Sequence, residues 1–304
     1  MAAGRIEGSG SEPWTVARVL RWASEDFKKR GIDSARLDAE LLLAHTLGVD
    51  RVRLIIDARR PLEPDELASY RELIRRRRER EPVAYLLGER EFYGLPMRVR
   101  PGVLIPRPDT ETLVDVALDR TRGSDMYGRL LDLCTGSGCV LLAFHKHRPT
   151  WQVTGVDVSD QALAVARENA TRLGLLHNCR LLRGDGFEPL RPGERFELIT
   201  ANPPYVSAKD MQELDPGISR YEPHLALFGG ADGLDLIRRI IREAPERLVT
   251  GGVLALEVGY DQADRVAAAL AEGGFADIDR RRDYGGHQRV ISGSWPDAAQ
   301  DPAP

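Results

Sequence analysis

Cysteine is almost missing from this 304-residue chain, which has Cys134, Cys139 and Cys179 and no others. Three thiols without a CxxC pair exclude a disulfide framework and a thiolate metal site, so simple burial is expected of each. No stretch approaches the ~18 consecutive apolar residues of a membrane helix. No signal-peptide pattern opens the chain either, so no membrane partner and a cytoplasmic location are expected. Lysine is confined to Lys28, Lys29, Lys146 and Lys209, and the six histidines show no metal spacing, so no metal is expected. A formal net charge of −4 leaves no general positive excess to hold a phosphate backbone, which speaks against direct nucleic-acid binding. Apolar residues are present in ordinary amount, 42%, enough to fill one large domain and one small one.

Residues 1–12 and 297–304 are small and polar and read as disordered tails. Over 13–82 the pattern is helical, with about four helices. Leu37, Leu41, Ala44 and Leu47 follow Ser34, a candidate N-cap, and Gly48 stands where a C-terminal glycine belongs. Leu67, Tyr70 and Ile74 follow Pro64, which suits a first helical turn. Over 83–103, Gly88, Gly94, Pro96, Pro101 and Gly102 break any helix, and Phe92, Tyr93, Met97 and Val99 favour extended chain, so a hairpin linking two domains is expected.

Over 104–296 strands alternate with helices. The strand candidates are Arg129–Cys134, Gln152–Val158, Arg180–Asp185, Glu197–Asn202 and Gly252–Val258, with helices such as Gln161–Leu173 and Leu234–Leu248 between them. Strands this continuously apolar belong to a parallel sheet covered on both faces, giving an α/β doubly wound fold. Asp277–Trp295 offers two more strands around Gly285-Gly286, an antiparallel edge hairpin.

In such a sheet the ligand sits at the carboxyl ends of the strands. The first strand ends in DLCTGSG (Asp132–Gly138), where Gly136 and Gly138 let the backbone come close to a ligand. The second ends at Asp157, placed to accept hydrogen bonds from both hydroxyls of a ribose, and the third at Asp185-Gly186, beside an adenine edge. A dinucleotide would want a third glycine for its pyrophosphate, but that position is Leu141. A nucleoside without phosphates fits better, and S-adenosylmethionine is one.

Asn202-Pro203-Pro204-Tyr205 follows the fourth strand. Two prolines have fixed φ and no N–H, which makes a stiff corner with outward carbonyls. An amide or aromatic amine NH2 is a poor nucleophile whose plane must be fixed and whose hydrogens need acceptors. The Asn202 side-chain oxygen and the Pro203 carbonyl are expected to be those acceptors, with Tyr205 packed on the flat substrate group. No strong base is needed, because orientation can supply on the order of 7–11 kcal/mol of the barrier.

At these residues the chain resembles the HemK/PrmC family of release-factor glutamine methyltransferases over nearly all of Trp14–Ser294. The NPPY box alone is shared with adenine-specific DNA and some RNA methyltransferases. Three further segments carry the resemblance: PVAYLLGEREFYGLPMRV (Pro82–Val99), VLIPRPDTE (Val103–Glu111) and YEPHLALFGGADGL (Tyr221–Leu234). It implies a class I S-adenosylmethionine-dependent methyltransferase domain, doubly wound, with a mostly parallel seven-stranded sheet, behind a helical domain that docks the substrate protein. The acceptor would be the glutamine of the GGQ motif of class 1 peptide release factors, modified by a monomeric enzyme that releases S-adenosylhomocysteine. Carried over, Asp132, Leu133, Cys134, Thr135, Gly136, Gly138 and Asp157 bind the cofactor, Asp185 and Gly186 flank its adenine, and Asn202, Pro203, Pro204 and Tyr205 hold the glutamine. Two departures stand out. Cys134 replaces a usual glycine, so that backbone must tolerate a Cβ, and the small Gly186 leaves its adenine contact to Phe187.

Arg107, fixed between two prolines, is expected to point at the ligand. Arg75–Arg78 with Arg80 read as a solvated helix face, or as a contact for an acidic partner or RNA. Asp109 and Glu111 suit either a helix N-terminus or the site mouth. Glu257 suits either the cofactor cleft or a structural hydrogen bond. Two other functions are compatible with the sequence: an adenine N6 methyltransferase using the same box, and a catalytically silent binding protein.

Overall fold

The computed structural model describes residues 13–123 and 127–296; the expected tails at 1–12 and 297–304 lie outside them. Contacts divide the chain after Leu87 into two units.

The N-terminal unit is helical: α1 (Val16–Lys29), α2 (Ala35–Leu47), α3 (Arg51–Ile56), α4 (Pro64–Arg78) and α5 (Val83–Leu87). Pro64 occupies the first turn of α4, and Glu63 and Glu66 cap it reciprocally. Gly48 ends α2 at φ 64°, a left-handed turn that glycine adopts freely. Ser34 stands at the α2 N-cap, but its hydroxyl donates to Asp38 at 2.7 Å instead of capping the backbone. The buried face of α2 also differs from the expected one. Ala39, Leu42 and Leu43 are inside, while Leu37 is 41% exposed. Asp38 turns inward with them because Arg77 meets it at 2.8 Å with both side chains largely covered. Phe27, Leu42, Leu43, Tyr70 and Ile74 fill the core. The segment Val83–Leu87, expected to be extended, forms α5: the Pro82 carbonyl accepts from the Tyr85 and Leu86 amides, and Ala84 and Leu86 are buried.

In the second unit the hairpin is correspondingly shorter, β1 (Glu89–Phe92) and β2 (Leu95–Arg98) around Tyr93-Gly94, both at positive φ. Then come α6 (Glu111–Arg120), β3 (Arg129–Leu133), α7 (Cys139–His147), β4 (Gln152–Asp157), α8 (Asp160–Arg172), β5 (Cys179–Arg183) and β6 (Phe196–Ala201). They are followed by α9 (Pro216–Ser219), α10 (Asp235–Glu243), β7 (Leu248–Glu257), α11 (Ala263–Glu272), β8 (Ala276–Arg282) and β9 (Gln288–Ser294). The helix expected over Leu234–Leu248 stops at Glu243. A 3-10 turn carries Pro245, which cannot continue the ladder, and Leu248 already belongs to β7.

The large sheet is seven-stranded in the order β5-β4-β3-β6-β7-β9-β8. The first five are parallel; β9 runs antiparallel between β7 and β8, which makes β8 the edge. That edge is bulged and charged (ADIDRRR), as an unpaired edge must be to resist pairing with another chain. Strand order reverses between β3 and β6, so a crevice opens beyond their carboxyl ends. The core beneath it includes Leu131, Leu133, Val156, Ile199, Ala201 and Leu256.

Candidate active site

Register fixes the site. Leu133 lies opposite Val156 on one side and Ala201 on the other, and Ala201 lies opposite Leu256. The segments that begin at Cys134, Asp157, Asn202 and Glu257 therefore leave the sheet at one level.

The loop after β3 needs three left-handed residues, Cys134 (φ 56°), Gly136 (58°) and Gly138 (79°). Cys134 adopts without glycine's freedom a backbone that costs an L-residue roughly 1–2 kcal/mol. Asp132, 2% exposed, holds the loop by accepting from Thr135 Oγ1 at 2.6 Å and Thr200 Oγ1 at 2.8 Å. Burial pushes its carboxyl up to about 6 against those two hydrogen bonds. Asp157 accepts the Gly136 amide at 2.9 Å and the Ser159 amide at 2.9 Å, one on each oxygen. Each oxygen keeps a lone pair for a ligand hydroxyl. Burial raises this carboxyl too. Asp185 lies lower than an ordinary carboxylate because Arg239 bonds it.

One cleft gathers Asp132, Cys134, Thr135, Gly136, Asp157, Asp185 and Gly186 from the cofactor candidates, with Asn202, Pro204 and Arg107 from the substrate candidates. The remaining expected residues do not line it. Leu133 is in the core, and Phe187, 5% exposed, packs there too, so it does not take over an adenine contact. Gly138 serves packing: a Cβ there would stand 3.2 Å from Ala166 Cβ. Pro203 is buried beneath the corner. Tyr205 turns away from the expected substrate face, its hydroxyl donating to Glu257 Oε1 at 3.3 Å. Arg107 lines the cleft, but its guanidinium is engaged by the buried Glu222, which also accepts the Ile105 amide at 3.1 Å. Asp109 lies 3.5 Å from Arg289, and Glu111 accepts the Tyr93 amide at 2.9 Å.

The Asn-Pro-Pro-Tyr corner is held from several sides. Asn202 Nδ2 donates to Thr110 Oγ1 at 3.2 Å, and Gln262 Nε2 donates to the Tyr205 carbonyl at 2.9 Å. Gly229 and Gly233 pack on its backbone so closely that added Cβ atoms would stand 2.5 Å from the Pro204 carbonyl oxygen and 2.2 Å from that of Tyr205. Sequence pattern alone gives no role to Thr110, Glu222, Gly229, Gly233 or Gln262. Four of them lie in the VLIPRPDTE and YEPHLALFGGADGL segments, which were the available signal; Gln262 carried none.

The charged side chains lining the cleft are Asp132, Asp157, Asp185 and Arg107, with Arg107 paired to Glu222 and Asp185 to Arg239. Such a lining suits a cationic ligand with a diol and repels a pyrophosphate. Gly136 presents open backbone there, with no atom closer than 3.9 Å to where a Cβ would stand. The donor set therefore fits S-adenosylmethionine. Among the described residues no His, Cys, Asp and Glu cluster could hold a metal, and no helix is long and apolar enough to cross a membrane.

Residues 18–88 match the family described as PrmC N-terminal domain, and residues 130–221 match that described as Methyltransferase domain. A release factor glutamine methyltransferase of Geobacter sulfurreducens is 44% identical over 282 residues, covering 93% of this chain and 97% of that protein. One of Vibrio cholerae is 46% identical over 281 residues, covering 92% and 97%. Among solved structures, a methyltransferase from Pyrococcus furiosus superposes with a TM-score of 0.50 at 18% identity, covering 67% of this chain and 90% of that one.

Proposed function

The chain belongs to the release factor glutamine methyltransferase family, and from that premise we propose how its cleft transfers a methyl group from S-adenosylmethionine to the glutamine amide of the GGQ motif of class 1 release factors. Asp157 would take the ribose hydroxyls, the Cys134–Gly136 turn the amino-acid end, and Asp185 and Gly186 would flank the adenine. The cofactor, when bound, supplies a methyl group already activated by positive sulfur. Asn202 Oδ1, which reaches the cleft, accepts an amide hydrogen and turns the nitrogen lone pair toward that methyl. Asn202 would hold the amide nitrogen in line with that methyl, and the surplus proton of the methylated amide would leave to solvent. That acceptor strengthens its hydrogen bond as the nitrogen gains positive charge, which lowers the barrier rather than merely tightening binding. A cytoplasmic monomer modulating translation termination is the setting this reading implies.

The single observation that carries it is the shared level of Asp157 and Asn202 on strands flanking β3, which brings a diol acceptor and an amide acceptor into one acidic cleft. The adenine alternative gains nothing from the basic run: Arg75, Arg76, Arg77 and Arg78 pair with Glu72 and Glu79, Glu81, Asp38 and Asp26, and Arg80 donates to the carbonyls of Arg30 and Gly31. Tritium transfer from labelled S-adenosylmethionine to a recombinant release factor tests the reading, with its GGQ glutamine changed to alanine as control. Label on the wild-type factor only is expected; equal label on both, or label on nucleic acid instead, overturns it.

A further inference from the structure

Helix α10 is anchored by Ile237, Ile240 and Ile241, all buried in the core. That rotation puts Leu236 and Arg239, three residues apart, along one edge of the helix, and Leu236 lines the cleft. From there Arg239 reaches Asp185, two residues past β5, and holds both of its oxygens: Nη1 donates to Oδ2 at 2.8 Å and Nη2 donates to Oδ1. The two side chains are 31% and 49% exposed, so the pair adds little to the stability of the fold. The backbone nevertheless makes room for it. Gly186 turns at φ 58°, and a Cβ there would stand 2.8 Å from Arg239 Nη2, so a larger residue would displace the guanidinium. Gly184 and Gly186 carry no side chain and Phe187 is buried in the core, so within this turn Asp185 alone offers a side chain to the cleft.

We propose that Arg239 is a positioning residue for cofactor selection: by holding both oxygens of Asp185 it fixes a pure acceptor against the adenine amine, so that the cleft takes a 6-amino purine and rejects a 6-oxo one. The proposal rests on the reading that Asp185 flanks the adenine. An ionised carboxylate has about four lone-pair sites and no hydrogen to give. The guanidinium engages one site on each oxygen and leaves the others for a ligand. Asp185 thus accepts from the C6 amine of adenine, and it meets the C6 carbonyl of hypoxanthine lone pair to lone pair. Arg239 also holds the carboxyl below the usual carboxylate range, which keeps Asp185 from taking up a proton and turning donor. Without the guanidinium this half-exposed side chain would turn freely in water, and an acceptor that must first be ordered binds and discriminates less.

The experiment titrates S-adenosylhomocysteine and its 6-oxo analogue S-inosylhomocysteine into the full chain by calorimetry, with thermal melting of each variant alongside. The wild-type chain is expected to bind the adenine ligand about tenfold or more tightly than the hypoxanthine one. Arg239→Met keeps a long stem without the donors. It is expected to bring the two affinities within about threefold of each other by weakening the adenine ligand, with the melting temperature little changed. A preference in Arg239→Met equal to that of wild type overturns the positioning role. An equal loss for both ligands overturns it too, as purely structural. No preference in the wild-type chain, or a preference that survives Asp185→Ala, overturns the underlying reading of Asp185 instead, so the two failures are distinguishable.

Discussion

In the proposed reaction Asn202 acts through one oxygen, its Nδ2 being held by Thr110 Oγ1 at 3.2 Å. Asn202→Ala removes that acceptor, and a single lost preorganised hydrogen bond of this kind costs on the order of 10²–10³ in kcat. The expected result is a kcat lower by about that factor in the release-factor assay, with the melting temperature little changed. The three cysteines make the opposite kind of residue-scale prediction. Burial pushes the Cys139 thiol up to about 12 and Cys179 up to about 11, and raises Cys134 further still. The thiolate is the reactive form, so alkylation by iodoacetamide at pH 8 should be far slower for the folded chain than after denaturation. Rapid modification of Cys134 in the folded chain would contradict this placement. At this scale the sequence was informative where a residue type has one job. Asp157 and Asn202 reach the cleft as expected, whereas Arg107 and Tyr205 carry two possible jobs each and were captured by the buried partners Glu222 and Glu257. Those partners are more than fifty residues away in the chain, and no local pattern announces them.

Among the elements, the turn through Gly229–Gly233 holds the Asn-Pro-Pro-Tyr corner by contact rather than by chemistry. Gly233→Ala would place a methyl group 2.2 Å from the Tyr205 carbonyl oxygen at φ 78°. Overpacking against backbone costs typically 1–3 kcal/mol, and the left-handed φ adds to it. We expect a lower denaturation midpoint and a larger loss of methylation than of stability, because the corner itself must shift. A variant with wild-type activity would show the turn to be plastic. Helix α4 gives a contrasting case. Arg77 and Asp38 form an ion pair with side chains 14% and 6% exposed, and removing one partner of a buried pair costs on the order of 3–5 kcal/mol. Arg77→Ala should therefore melt the N-terminal unit earlier while leaving S-adenosylhomocysteine affinity at the other unit intact. The strand and helix periods made nearly every element legible. What they missed was the face of α2, where an inward aspartate replaced Leu37, and α5, whose five residues are too short for a period to register.

For the whole molecule, pH acts through carboxyls kept inside. Glu257 is raised to about 7 from 4.5 and Asp132 to about 6 from 3.8, both by burial. A raised folded-state value means that the stabilising contribution is complete below the unfolded value and disappears as pH climbs through the folded one. Between about pH 4 and 7 these two groups therefore make the fold less stable as pH rises. Glu257→Gln should melt higher than wild type at pH 8, by an amount on the order of 1–3 kcal/mol, and the gap should close toward pH 5. A gap that is constant with pH would mean that the carboxyl titrates as an ordinary exposed glutamate.

The placement of β9 has a consequence for how such a molecule is made. It pairs with β7, whose Leu254, Ala255 and Leu256 are fully covered, yet among the described residues it is made after every other strand. A nascent chain that has already produced both clusters of its active site still carries an open, apolar rim along β7. Polypeptides stopped anywhere between Glu257 and Gln288 should accordingly collect as aggregates rather than as weakened enzymes, because an unpaired rim of that composition recruits its own kind.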